Sequence, residues 1–98
     1  MVVRKIVWTN SSKIELYQIL EYFIERNQSK TYSLKLYNKI NTEIVKLITQ
    51  PEIGKITNMI NVRALLIESY FIFYEINKKD IVILSVWNTR QNPKKLKF

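Results

Sequence analysis

NVRALLIESYFIFYEINKKDIVILSVWNTRQNP, residues 61–93, decides the fold of this chain. It holds three apolar segments rich in β-branched and aromatic residues, separated by short polar breaks. Residues 70–76 (YFIFYEI) and 81–87 (IVILSVW) read as strands, and Asn77-Lys78-Lys79-Asp80 between them reads as a hairpin loop. If Ile76 faces Ile81, then Tyr74 faces Ile83, Ile72 faces Ser85 and Tyr70 faces Trp87. Such aromatic and β-branched cross-strand pairs favour that register. With residues 61–67 as the strand before them, the centre of the molecule is an antiparallel meander.

Working back from the meander, residues 51–60 (PEIGKITNMI) hold Gly54, the chain's single glycine, and show no periodicity. They read as a loop. Before it, Leu36, Tyr37, Ile40, Ile44, Leu47 and Ile48 recur at helical spacing, which predicts a helix from about Ser29 or Lys30 to Thr49. Lys35, Lys39, Glu43 and Lys46 take its wet face, and Pro51 ends it by disfavouring a helical residue ahead of it. An earlier helix runs to about Asn27, with Asn10 or Ser11 as N-cap and Ile14, Tyr17, Leu20, Phe23 and Ile24 on its apolar side. Residues 2–8 (VVRKIVW) form a first strand. The expected fold is α+β, in the order β-α-α-β-β-β, with a two-helix hairpin packed on the meander. No linker divides the chain, so residues 1–98 are one domain.

Composition narrows function. The chain has no cysteine and no histidine, which removes disulfides, a thiolate nucleophile, the common zinc ligands and the common general base. Hydrophobic residues make up 47%, ample for a folded core in 98 residues. No apolar run approaches the roughly 20 residues that span a bilayer, and the N-terminus lacks a signal-peptide pattern. The expectation is a soluble, cytoplasmic protein with no cofactor and no membrane partner. Sixteen Lys and Arg against eight Asp and Glu give a net charge of +8, which points to polyanions or to an acidic protein. The bland alternative is surface charge serving solubility. After Trp87 the chain carries Arg90, Lys94, Lys95 and Lys97 with no acidic residue among them.

The order of elements, with several residues in place, resembles the RelE/ParE superfamily of toxins from bacterial type II toxin–antitoxin pairs. The residues that carry the likeness are Ile6-Val7-Trp8 closing the first strand, the loop from Pro51 to Gly54, and Arg63 with Leu65. Tyr70-x-Ile72-x-Tyr74 and Ile81-x-Ile83 leading to Trp87 and Arg90 complete it. The resemblance implies a growth inhibitor neutralised by an acidic antitoxin that is partly disordered when free. It also implies one of two targets. ParE-like members poison DNA gyrase without cutting nucleic acid, whereas RelE-like members cut messenger RNA on the ribosome.

Cleavage by 2′-hydroxyl attack needs a base, a cation for the developing charge and an acid for the leaving oxygen. RelE-like toxins use lysines, arginines and a tyrosine near the C-terminus, and some use histidine; this chain has no histidine and no tyrosine after Tyr74. In a nuclease, Arg63 and Arg90 would be the catalytic candidates, as bidentate phosphate binders. Arginine is a poor base, however, because it stays protonated. These absences favour the ParE-like reading, with metal-independent endoribonuclease as the alternative and an inactive antitoxin-binding partner as a third. Lys55, Arg63, Trp87, Arg90, Lys94 and Lys95 are the candidate target- or phosphate-binding residues. The bland readings are a hydrogen-bonding role for Arg63, a core position for Trp87 and a solvated end for the basic tail. The meander is apolar on both parities and the helices cover one face, so Phe71, Phe73 and Trp87 are the candidate antitoxin-binding residues on the other.

Overall fold

The computed structural model describes residues 3–90. Strand β1 (Lys5–Trp8) leads into helices α1 (Asn10–Asn27) and α2 (Thr31–Val45), the latter closed by a 3-10 turn over Lys46–Ile48. Strands β2 (Lys55–Ile56), β3 (Val62–Ile67), β4 (Tyr70–Ile76) and β5 (Asp80–Asn88) follow. Among the described residues these five strands form one sheet in the order β1-β5-β4-β3-β2. The meander is antiparallel, as its apolar runs and short loops require. β1 adds to it in parallel, Ile6 opposite Ile81 and Trp8 opposite Ile83, which makes the whole sheet mixed. A parallel neighbour needs a long crossover, and the helical hairpin and the meander supply it.

One sheet face packs on the helices. Leu16 from α1, with Leu36, Ile40, Ile44 and Leu47 from α2 and its closing turn, meets Ile67, Tyr70, Ile72, Tyr74, Ile81, Ile83 and Val86 from the sheet. Ile6, Trp8, Ile19, Leu20 and Phe23 close its margins. Burying one such aliphatic side chain contributes about 1.5–3 kcal/mol. Lys39 and Lys46 flank Glu43 at 3.4 and 3.1 Å on the wet face of α2. The Lys46 ammonium bonded to Glu43 holds that carboxyl below its ordinary range, against a small opposing effect of burial.

The structure departs from the sequence expectations at four points. The N-cap of α1 is Thr9, not Asn10 or Ser11: Thr9 keeps the extended backbone of the strand end, and its hydroxyl accepts a hydrogen bond from the Ser12 amide at 3.1 Å. Ser12 is fully buried, its hydroxyl donating to the Thr9 carbonyl at 2.9 Å. That contact sets the phase of α1, so Ile14 and Tyr17 face outward at 55% and 54% exposure. Second, Ser33 plays the matching part in α2, buried and donating to the Leu20 carbonyl at 2.7 Å, while Tyr37 lies outside the core. Third, the 51–60 loop contains a short edge strand, β2, pairing Lys55 with Ala64 and Ile56 with Arg63.

The fourth departure concerns register. Ile76 faces Ile81 and Tyr74 faces Ile83 as expected, but a β-bulge then adds a residue to β5. Ile72 therefore faces Val86 rather than Ser85, and Tyr70 faces Asn88 rather than Trp87. Two residues beyond the extra Leu84, the amide of Val86 donates to the Glu15 carboxylate of α1 at 3.1 Å. The slip brings Phe71 opposite Trp87.

Candidate functional site

Where α1 passes the end of β5, beyond the point at which β1 stops, a cleft of about 710 Å³ opens between the helical hairpin and the sheet. Glu15, Tyr22, Phe23 and Arg26 line it from α1, and Tyr32 lines it from α2. Tyr70 from β4, with Trp87 and Arg90 at and after the end of β5, complete the wall. Its aromatic side is ordered. Phe23 stands edge-on to Tyr22, with ring centres 5.1 Å apart, and to Tyr32, with ring centres 4.7 Å apart. Such geometry is favoured by ring quadrupoles and fixes the ring orientations.

Two guanidiniums, Arg26 and Arg90, and one carboxylate, Glu15, are the charged groups lining the cleft. Arg26 donates to the Tyr22 hydroxyl at 3.4 Å, which keeps its guanidinium near the rim. The Glu15 carboxylate takes the Val86 amide and, at 3.4 Å, the Ser85 hydroxyl. Burial pushes the Tyr70 phenol above its ordinary value of 10.0; the neighbouring phenols of Tyr32 and Tyr22 push the same way, and the Arg90 guanidinium opposes them. At neutral pH Tyr70 is therefore a hydrogen-bond donor, not a base. The Arg90 amide donates to the Asn88 side-chain oxygen at 2.9 Å, which turns the chain at the strand end.

Of the residues expected from sequence, Trp87 and Arg90 meet in this cleft. Arg63 does not. It lies opposite Tyr74 while Asn88 lies opposite Tyr70, four residues along β4, which places Arg63 roughly 13 Å or more from Arg90 along the strand direction. Its guanidinium donates to the carbonyls of Glu52 at 3.2 Å and Gly54 at 2.9 Å, holding the loop after α2. Lys55 is exposed on β2, at the far edge of the sheet. Three inter-strand spacings separate β2 from β5, about 14 Å. Lys94 and Lys95 lie outside the described residues. Tyr22, Arg26 and Tyr32 were not expected, because none of them falls on the apolar positions that periodicity picks out in the two helices. Among the described residues, no group of three His, Cys, Asp or Glu is placed to hold a metal.

The candidate antitoxin residues sit apart from the cleft floor. Strand alternation puts Phe71 and Phe73 on the sheet face opposite Ile72 and Tyr74, which pack on the helices. The two phenyl rings are 6.1 Å apart and tilted. Leu66, Phe71 and Trp87 are cross-strand partners in one row, with Leu66 53% exposed and the other two half-buried. Trp87 thus belongs both to this row and to the rim of the cleft. No helix among the described residues is long and apolar enough to cross a membrane.

The family model of the ParE toxin of the type II toxin–antitoxin system, parDE, matches residues 6–93. A solved structure described as the chromosomal ParDE TA system from P. aeruginosa aligns with a TM-score of 0.75 at 19% identity, covering 88% of this chain and 96% of that chain. At that identity the likeness establishes the fold, the same strand–hairpin–meander arrangement. No curated protein matches the sequence. With the family model spanning nearly the whole chain, the protein belongs to the ParE toxin family of type II toxin–antitoxin systems, on the ParE and not the RelE side of the superfamily.

Proposed function

We propose that this toxin inhibits growth in the cytoplasm by binding DNA gyrase, through the cleft between α1 and the ends of β4 and β5, without cutting nucleic acid itself. The observation that carries the reading is the separation of the two arginines. A nuclease of the RelE kind needs its cations and a proton-transfer pair around one phosphate. Arg63 is instead committed to the Glu52 and Gly54 carbonyls, away from the cleft that holds Arg90. In the cleft, the Glu15 carboxylate is engaged by the Val86 amide, and the Tyr70 phenol is held protonated. What remains is a surface of aromatic rings and guanidiniums, suited to binding.

The test is induction in bacteria, with gyrase supercoiling and ribosome-associated message integrity assayed from the same cells. Stalled supercoiling with intact messages is the expected result, and Arg90→Ala should relieve it. Codon-positioned cuts in translated messages, lost in Arg90→Ala, would replace this reading with the ribosome-dependent nuclease.

A further inference from the structure

Three phenols and two guanidiniums line one cleft beside the Glu15 carboxylate, and the gyrase reading gives the cleft a protein partner without saying which chemical group these side chains hold. Tyr22, Tyr32 and Tyr70 are near enough for the first two to influence the titration of the third, and Arg90 acts on the same phenol. Arg26 is tied to Tyr22 at the rim. Tyr70 is 5% exposed, yet it lines the cleft. Tyr22 and Tyr32 present ring area outward, at 55% and 41% exposure. Hydroxyl and guanidinium donors lining one cleft are the groups from which an oxyanion cradle is made. Exposed ring faces around such a cradle are what a flat heteroaromatic base stacks on.

We propose that this cleft binds a single-stranded nucleic acid segment, one phosphodiester held between Arg26 and Arg90 and the tyrosine hydroxyls, with a flanking base stacked on Tyr22, Tyr32 or Trp87. The occupant is argued from complementarity. An anionic group set between flat apolar ones is the repeating pattern of a single strand. Charge alone does not single out the cleft, since the whole chain carries +8. The co-location of rings and arginines does, and the cleft volume of about 710 Å³ lies within the range of sites that enclose small ligands. Duplex DNA, with its bases paired and stacked, cannot offer a base to the rings. The inference rests on the reading that this cleft faces the target, a gyrase–DNA complex whose strands are opened.

The experiment is fluorescence anisotropy of the full chain with a labelled twelve-nucleotide oligo-dT, an oligo-U of equal length, an abasic oligomer of equal charge and a duplex, each titrated over a range of salt. Strand binding should exceed abasic and duplex binding. Tyr32→Ala should weaken it by about tenfold, a stacked base's contribution. Arg26→Gln and Arg90→Gln should each flatten the salt slope by about 0.7, one single-strand phosphate contact. Lys35→Gln, an exposed α2 position outside the cleft, should leave affinity within twofold. The oligo-dT and oligo-U arms decide between DNA and RNA as the source of the strand. Equal binding of abasic and base-bearing strands, or an equal loss in Lys35→Gln and Arg26→Gln, overturns the proposal and leaves only diffuse charge. Binding of an acidic peptide with this variant dependence, and none of the strand, overturns it in favour of a protein occupant. The assay is independent of supercoiling, so loss of strand binding with gyrase inhibition intact would fell this inference alone.

Discussion

At the scale of single residues, Tyr74 shows how one side chain ties the loop to the sheet. It is fully buried, its hydroxyl donates to the Pro51 carbonyl at 2.6 Å and accepts from the Gly54 amide at 3.0 Å. Tyr74→Phe leaves the buried Gly54 amide and the part-buried Pro51 carbonyl without this partner and should cost about 1–3 kcal/mol, read as a lower urea midpoint at pH 7. Burial, the larger influence, raises this phenol above 10.0, outweighing the Gly54 amide, which favours the ionised form. The fold therefore favours the protonated phenol. Its stabilisation is complete below pH 10 and falls as pH rises through the higher native value, so the wild type should lose stability on the alkaline side. The Tyr74→Phe variant should lose less there, with Tyr70 supplying the remainder. Gly54 is needed for space. A Cβ there would lie 2.6 Å from the Tyr74 hydroxyl oxygen and 2.8 Å from its ring, with the Ala64 carbonyl at 3.0 Å. Because the ring is fully enclosed, Gly54→Ala should destabilise by about 1–3 kcal/mol in the same titration. The importance of Gly54 was visible in sequence only as its being the chain's single glycine; its partner, twenty residues on, was not.

At the scale of elements, the apolar runs made β3, β4 and β5 legible along with the order of everything around them. Residues 70–76 and 81–87 could only be strands, and the hairpin between them fixed the register at Ile76 and Ile81. Beyond Ile83 the reading failed. Leu84-Ser85-Val86 carries no glycine or proline to announce a bulge, and the group that supports it, Glu15, is 71 residues away from Val86 in sequence. The extra residue is Leu84, and just beyond it β1 has ended, so on that open edge the Val86 amide has no strand neighbour and donates to a carboxylate from the packed helix. Glu15→Ala should therefore cost about 1–3 kcal/mol and speed hydrogen exchange at the Val86 amide more than at Ile81, measurable by NMR. In α1, Leu20 and Phe23 face the core as expected, but the first turns were misread for a related reason. Periodicity counts apolar residues, whereas the fully buried position there is Ser12, small and polar, locked to Thr9. Tyr22 and Arg26 lie off the apolar positions of α1, so periodicity gave no reason to see them as cleft residues. Trp87 and Arg90 could, because they end a strand that the sequence does declare.

At the scale of the whole molecule, the helices protect one face of the sheet and leave the row Leu66, Phe71 and Trp87 on the other. A type II toxin has an antitoxin, and we propose that the antitoxin's contact lies on this row. An extended apolar row on a basic protein of +8 suits a segment that is acidic overall and apolar along one side. Because Trp87 also forms part of the cleft rim, a segment seated on the row would reach the cleft and close it to the target. Neutralisation would then need no conformational change in the toxin. Phe71→Lys puts a charge at the centre of the row and leaves the cleft intact. It should weaken antitoxin binding by at least about thirtyfold, the effect of a lost hot spot of 2 kcal/mol or more, measured by titration calorimetry with the purified antitoxin. The same variant should still block growth, now without rescue by the antitoxin. Trp87→Ala should lose both activities together, since it stands in both surfaces. If Phe71→Lys bound the antitoxin as tightly as the wild type, the antitoxin would have to seat elsewhere, and the row would need another occupant.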